Sequence, residues 1–147
     1  MNPEFEKCLK RGKIRVFSRG KALVGKELAV AQSDLEEAQE SFKRGKYKWA
    51  TIQCYYSMFH SARALIYNKN YRERSHHCLI VALRALYVET KQLSFTFVEA
   101  LQKAKTLREQ ADYYGEFSKI TAEELLKDAK EFLGKASEIL KQEKFKS

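Results

Sequence analysis

Apolar residues recur every three or four positions along most of this chain, which is the spacing of amphipathic helices. Between residues 21 and 44 they fall at Val24, Leu28, Ala31, Leu35 and Ala38. The pattern predicts helices over residues 21–44, 47–68, 75–89 and 95–113 and from residue 121 onward, preceded by a short helix over residues 4–11. Residues 13–20 and 69–74 show no alternation of apolar and polar side chains, so we expect connectors there and no strand.

Residues suited to helix ends stand at the predicted boundaries. Gly45 follows the first long helix, where a left-handed C-cap needs glycine. Ser75 precedes the helix over 75–89 and is placed to act as its N-cap. Thr121 and Glu124 have the spacing of a capping box, which predicts that the last helix opens at Thr121.

The helix over residues 47–68 is apolar around most of its circumference, and such a helix must be surrounded by others. We therefore predict an all-α fold, an antiparallel up-and-down bundle of four main helices with flanking helices. Residues 1–20 are expected to form a basic arm or short helix, and residues 21–147 the bundle. A stripe of small residues at Ser57, Ser61 and Ala64 is expected to form a dimer seam.

Basic residues are concentrated near the N-terminus of a chain whose formal net charge is +9. Residues 1–26 hold eight lysines and arginines against Glu4 and Glu6. Such an arm suits a phosphate backbone, an anionic membrane surface or an acidic protein, and it is equally typical of a solubilising tail. The chain has neither a long apolar run nor the pattern of a signal peptide, so we expect a cytoplasmic protein that does not enter membranes.

The three cysteines, Cys8, Cys54 and Cys78, are far apart and odd in number. This favours free thiols in a reducing compartment over a disulfide framework. Cys78 follows His76 and His77 directly, and three consecutive side chains fan out around a helix and cannot converge on one ion. We therefore predict no metal and no other cofactor.

One candidate site is the turn into the helix over 75–89, where Arg72, Arg74, Ser75, His76 and His77 cluster. The free N–H groups and dipole of a helix N-terminus favour an anion, so Arg72, Arg74, Ser75 and His76 are candidate ligands of a phosphate or nucleotide. Arg72 and His77 are candidate catalytic residues, with the histidine as acid or base. The structural alternative is that Ser75 caps the helix and the arginines are solvated.

A second candidate site lies at the end of the helix over 95–113. Arg108 and Asp112 are four residues apart and can form a salt bridge on one face. Tyr113 and Tyr114 follow at the helix exit. The cluster is either a salt bridge with an aromatic end, or an arginine and a tyrosine hydroxyl available for chemistry.

Three segments together resemble the HEPN superfamily, and in particular its small archaeal and bacterial branch UPF0332: YYSMFHSARAL at 55–65, YRERSHHC at 71–78 and LREQADY at 107–113. The resemblance runs from about residue 2 to residue 140. It implies an up-and-down helical bundle that is usually dimeric. It also implies a gene neighbour encoding a minimal nucleotidyltransferase in a toxin–antitoxin pair. Catalytic members are metal-independent ribonucleases whose Arg-x4–6-His motifs meet across a dimer.

The chain departs from that motif. Arg108 corresponds to the motif arginine, but Asp112 and Tyr113 follow where a histidine is expected. Arg72 and His77 have the required spacing in a different turn of the fold. In some relatives a tyrosine beside the motif accepts a nucleotidyl group from the partner enzyme, which makes Tyr113 or Tyr114 a possible acceptor.

Three hypotheses follow. The first is a non-catalytic or weakly catalytic homodimeric partner of a minimal nucleotidyltransferase that binds nucleotide or RNA. The second is a metal-independent endoribonuclease toxin using Arg72 and His77, or Arg108 with a histidine from elsewhere. The third is a purely structural interaction module.

Overall fold

The computed structural model describes residues 2–146, and in that range the chain forms six α-helices and two short strands. In chain order they are α1 (Pro3–Lys10), β1 (Ile14–Val16), α2 (Gly20–Lys43), α3 (Tyr47–Tyr67), β2 (Tyr71–Glu73), α4 (His76–Leu83), α5 (Phe95–Tyr114) and α6 (Lys119–Lys146). The predicted all-α bundle is confirmed, with α2, α3, α5 and α6 as its long helices. None of the helices described is long and apolar enough to cross a bilayer.

The central position predicted for the helix over 47–68 is confirmed, since α3 packs against α2, α5 and α6. Cys54, Met58 and Leu65 on this helix are completely buried. A helix with apolar groups on so many sides has no other stable environment in water. The remaining solvent-facing strip of α3 carries the exposed rings of Trp49 and Tyr56. It lies between α2 on one side and the start of α4 and end of α5 on the other.

The small residues of α3 are used inside the protein. Ser57, Ser61 and Ala64 are fully buried, and the Ser57 hydroxyl donates to the Ala31 carbonyl of α2 at 2.8 Å. The expectation that this stripe forms a dimer seam is therefore wrong. Its physical role is to let the backbones of α2 and α3 approach closely, since small side chains leave little between them.

Two of the three predicted helix boundaries are confirmed. Gly45 has a left-handed φ of +74° directly after α2, and the Ser75 hydroxyl accepts the Cys78 N–H at 3.2 Å. The prediction that Thr121 opens the last helix is wrong. Ser118 takes that role: its hydroxyl accepts the Thr121 N–H at 3.1 Å, so Thr121 already lies inside α6.

The segments expected to be connectors without strands contain β1 and β2, which pair antiparallel with Ile14 opposite Glu73 and Arg15 opposite Arg72. Three-residue strands are too short to show alternation, and their partners are far apart in sequence, so nothing local indicates them. Glu73 is buried and accepts from Arg63 of α3 through both carboxylate oxygens, at 2.8 and 3.0 Å. This ion pair fixes β2 against the bundle.

The N-terminal segment is fastened to α4. Phe5 and Cys8 of α1 are buried, and Cys8 forms a disulfide with Cys78. The expectation of three free thiols is therefore wrong for this pair. The sequence separation of 70 between the two cysteines gives no spacing signal, and only the packing of α1 on α4 brings them together. Cys54 is a free, buried thiol as expected.

The helix predicted over 75–89 has two parts. After α4 the backbone widens into a π-helical turn, Arg84–Val88. Tyr87 in this turn is completely buried, and its hydroxyl donates to the Leu65 carbonyl of α3 at 2.6 Å. The wider turn therefore anchors the end of this helix on α3 through a polar contact inside the core.

Candidate functional site

Arg108 is the centre of the most unusual cluster in the structure. It lies on the last turns of α5 with its side chain only 16% exposed. The guanidinium carbon is 5.2 Å from the ring centroid of Tyr55, 5.9 Å from Tyr56 and 5.8 Å from Tyr113. The cation is therefore held among three aromatic rings, two from α3 and one from its own helix.

The surroundings keep this arginine charged. Burial alone would lower the pKa of Arg108, but hydrogen bonding to Tyr113 and the neighbouring Tyr56 and Tyr55 hydroxyls raise it above its ordinary value. The predicted pair with Asp112 is present, at 3.6 Å between Nη1 and Oδ2. That distance is too long for a strong charge-assisted hydrogen bond. The Nε of Arg108 is buried and has no partner among the described residues, so an anion would have to approach the part of the guanidinium that is exposed.

A histidine from another helix joins this cluster. His76 is the first residue of α4, and its Nδ1 lies 3.2 Å from the hydroxyl of Tyr55. Tyr55 is 5% exposed, and Arg108 covers the face of its ring. Tyr55 thus links the histidine to the arginine across an interface of α3, α4 and α5. The other ring nitrogen, Nε2, is buried without a partner in the described part of the chain.

His76 is neutral at physiological pH. Burial, as the largest cause, and the nearby cations Lys105 and Arg108 together lower its pKa to about 4, although Glu109 opposes them. Burial also raises the pKa of Tyr55 to about 12, against the opposing effect of Arg108. At pH 7 the site therefore combines a permanent cation, a neutral imidazole and a protonated tyrosine.

An exposed aromatic surface adjoins Arg108. Tyr113 and Tyr114 are 67% and 74% exposed at the end of α5. Tyr56 and Trp49, 39% and 51% exposed, lie two turns apart on the solvent-facing strip of α3. Phe117 lines a cleft of about 150 Å³ against α3. We call these five residues the aromatic surface; a concentration of exposed large rings marks interaction sites more often than a single exposed ring does.

The residues predicted at the turn into α4 separate. Arg72 lies on β2 with its guanidinium carbon 5.1 Å from the Phe17 ring centroid. Arg74 and His77 are exposed. The Ser75 hydroxyl caps α4, as the structural alternative proposed. Of this group, His76 is the one that reaches the Arg108 cluster.

Comparison with known proteins identifies the family. The model of the HEPN domain matches residues 26–140, more than three quarters of the chain. The chain belongs to the HEPN family. A UPF0332 protein of Archaeoglobus fulgidus is 32% identical to it over 114 residues, covering 75% of this chain and 90% of that protein.

Two proteins of Methanocaldococcus jannaschii, each carrying the name "Putative toxin", are also similar to this HEPN protein. One is 28% identical over 124 residues, covering 83% of this chain and 84% of its own length. The other is 27% identical over 131 residues, covering 83% of this chain and 98% of its own. The resemblance inferred from the three motifs is therefore confirmed, including its UPF0332 branch.

The sequence alone did not reveal how these motifs converge in the HEPN protein. Tyr55, His76 and Arg108 each stand in a different one of the three motif segments. The sequence places Tyr55 and Tyr56 on the helix predicted at the centre of the bundle, and His76 in a separate candidate phosphate site. The one signal that links them is the family resemblance itself, because all three motif segments belong to it. In the folded protein those segments lie together, and Tyr55 of α3 contacts both other residues.

Proposed function

We propose that this HEPN protein is a dimerising, non-catalytic or weakly catalytic partner of a minimal nucleotidyltransferase and binds nucleotide or RNA at Arg108. The observation that carries the proposal is the arginine itself, a cation held among three tyrosine rings with part of its side chain exposed to solvent. Arginine suits phosphate oxygens because its planar fork presents several donors in fixed geometry. The exposed rings beside it suit stacking of bases.

The solvent-facing strip of α3 supports a homodimer. Trp49 and Tyr56 expose large rings on this strip, and the Nζ of Lys48 lies 5.2 Å from the Trp49 ring centroid. A second copy covering the strip would bury apolar area and bring two Arg108 clusters to one groove. Such a groove would present two cations to one phosphate backbone.

Binding to Arg108 is tested with a fluorescein-labelled twelve-residue oligouridine and with ATP. Arg108→Gln should weaken binding by about tenfold or more, because a charge-assisted phosphate contact is lost. The matched control is Arg44→Gln, since Arg44 is exposed directly after α2 and pairs with Glu40. Wild-type protein that binds neither probe, or equal binding by both variants, would refute the nucleotide proposal. Co-purification with the product of the adjacent gene tests the partner.

Tyr113 is the more suitable of the two proposed nucleotidyl acceptors. It interacts with Arg108, which could also bind the incoming phosphate, whereas Tyr114 is the more exposed. In the reaction the tyrosine oxygen attacks the α-phosphorus of a nucleoside triphosphate, pyrophosphate leaves, and the hydroxyl proton passes to solvent. With the partner enzyme and ATP, intact-mass measurement should show one added nucleotidyl group that Tyr113→Phe removes and Tyr114→Phe retains. The reverse result would assign Tyr114.

The second candidate function is a metal-independent endoribonuclease. The observation that favours it is the contact of His76 with Tyr55 beside Arg108, which supplies the histidine that the motif lacks. After the cluster opens to expose its buried Nε2, His76 would accept the proton of the 2′-hydroxyl as the 2′-oxygen bonds to phosphorus. The P–O5′ bond breaks and the 5′-oxygen takes a proton from solvent, while Arg108 stabilises the phosphate charge. Its low pKa makes it a weak base, which is consistent with weak activity.

Two adjacent histidines make the ribonuclease test sharp. Purified protein is incubated with labelled RNA in EDTA, and wild type is compared with His76→Ala and His77→Ala. Cleavage lost only in the first variant assigns the composite site at Arg108. Cleavage lost only in His77→Ala or Arg72→Ala assigns the other predicted pair. Intact RNA with wild type argues for the non-catalytic proposal, and failure to bind RNA or the partner leaves the structural module.

A further inference from the structure

A second concave site lies away from the Arg108 cluster. It is an open cleft of about 590 Å³ between the first turns of α2 and the last turns of α6, and Asn68 at the end of α3 closes one side. Its volume falls in the range of small-molecule sites. No residue of this cleft belongs to the Arg108 cluster or the aromatic surface.

The floor of the cleft is apolar. Val24 and Leu28 of α2 face Leu140 of α6 across it. Gly25 stands beside them on α2, and a Cβ built there would meet no atom within 4 Å. The missing side chain thus keeps the cleft open. The floor spans one turn of α2, about 6 Å long, which suits a small apolar group better than a partner helix with several anchors.

The rim of the cleft is basic. Lys21 and Lys141 line it and are exposed. The carboxylate in the lining, Glu143, is already engaged, because it accepts from Asn68 and from Lys69 Nζ at 3.0 Å. The charge available to a ligand is therefore positive. A second copy of this chain would place like charges against each other across a two-fold axis.

We propose that the α2–α6 cleft binds a small amphipathic anion, with its apolar body on Val24, Leu28 and Leu140 and its carboxylate or phosphate between Lys21 and Lys141. An apolar body and one acidic group are the complement of this floor and rim. The ligand comes either from solution as a free anion or from an anionic membrane lipid.

Titration calorimetry of the full chain with sodium laurate, below its micelle concentration, tests the cleft. We expect one laurate per chain, and Gly25→Leu should weaken binding by about tenfold or more because the new side chain fills the floor. Gly134→Leu is the matched control: Gly134 also lies on a helix with open space at its Cβ, but outside the cleft. Lys21→Glu with Lys141→Glu should weaken binding similarly, and Lys26→Glu with Lys130→Glu should not.

Sedimentation with phosphatidylglycerol vesicles separates the two sources. Laurate binding without vesicle binding identifies a soluble anion. Sedimentation that Gly25→Leu abolishes and Gly134→Leu retains identifies a membrane lipid. Absence of binding to both probes, or equal effects of the two glycine variants, would overturn the proposal. These outcomes are independent of the Arg108 experiments because the sites share no residue.

Discussion

At the scale of single residues, the candidate site depends on the protonation states of Arg108 and His76. Arg108 is charged because a guanidinium keeps its proton at any ordinary pH, and its surroundings raise its pKa although burial opposes this. His76 stays neutral because burial and nearby cations disfavour its charged form. The two effects are complementary, since a cation beside an imidazole opposes its protonation. Tyr55 contacts both residues, so a substitution at one of the three should alter the surroundings of the other two.

The low pKa of His76 predicts how stability depends on pH. The unfolded histidine takes up a proton near pH 6.5, whereas the folded one resists protonation until about pH 4. The free energy of unfolding should therefore fall as the pH decreases from 6.5 to 4. After allowance for partial exposure and solvent screening, we expect His76 to account for about 1–2 kcal/mol of this loss.

Urea denaturation at pH 7 and pH 4.5 measures the effect. His76→Gln should reduce the difference between the two pH values by that amount, because glutamine does not titrate. His77→Gln, at the exposed neighbouring position, should leave the difference unchanged. A wild-type difference that both variants share would mean that groups other than His76 govern the pH dependence. Asp34 would not be among them, because a burial-raised carboxyl pKa adds stability as the pH falls.

At the scale of elements, glycines have opposite roles at a helix end and inside a helix. Gly45 has the left-handed conformation that ends α2, so Gly45→Ala should lower the free energy of unfolding by about 1 kcal/mol. Gly134 is inside α6 with open space at its Cβ, so Gly134→Ala should raise it by about 0.5–1 kcal/mol. Thermal and urea unfolding of both variants check the two signs.

The disulfide gives a larger prediction. Cys8 and Cys78 are separated by 70 positions in the sequence, and closing such a loop removes entropy from the unfolded chain. Replacing both cysteines with alanine should lower the free energy of unfolding by about 4 kcal/mol in the chain-entropy description. Reductant should weaken the wild type similarly and leave the double variant unchanged. If reductant has no effect on the wild type, the bond does not stabilise the protein.

The sequence could predict the features that depend on neighbouring residues. Gly45 and Ser75 act within one turn of chain, and the apolar period of α3 needs no partner to be visible. The strands at Ile14 and Glu73 could not be predicted, since each depends on a segment far away. The same holds for the contact of Tyr55 with His76. Ser118 was missed because Thr121 offered the same capping chemistry three residues later.

At the scale of the whole molecule, the face formed by α3 and the end of α5 is the one that we propose for nucleotide binding and dimerisation. The solvent-facing strip of α3 and the end of α5 expose the aromatic surface beside a cationic centre. The chain carries a formal net charge of +9, so approach of polyanions is favoured and weakens with salt. The proposed homodimer uses the same face.

The dimer proposal predicts a shift of oligomeric state. Trp49→Glu places a charge in the centre of the proposed interface, so sedimentation equilibrium should show at least about a tenfold rise in the dimer dissociation constant. Phe95→Glu is the control, because Phe95 is a comparably exposed ring at the start of α5 and away from the strip. A dimer unaffected by Trp49→Glu would place the interface elsewhere.

The disulfide also divides the molecule topologically. Residues 8–78 form a covalently closed ring that contains α2, α3 and His76, whereas α5 and α6 follow outside it. Arg108 and Tyr113 therefore belong to a helical hairpin held to that ring by packing and by polar contacts such as those of Glu143 with Asn68 and Lys69. Partial unfolding that releases this hairpin would separate Arg108 from Tyr55 while the ring stays closed. The candidate site can thus be dismantled and rebuilt without breaking a covalent bond.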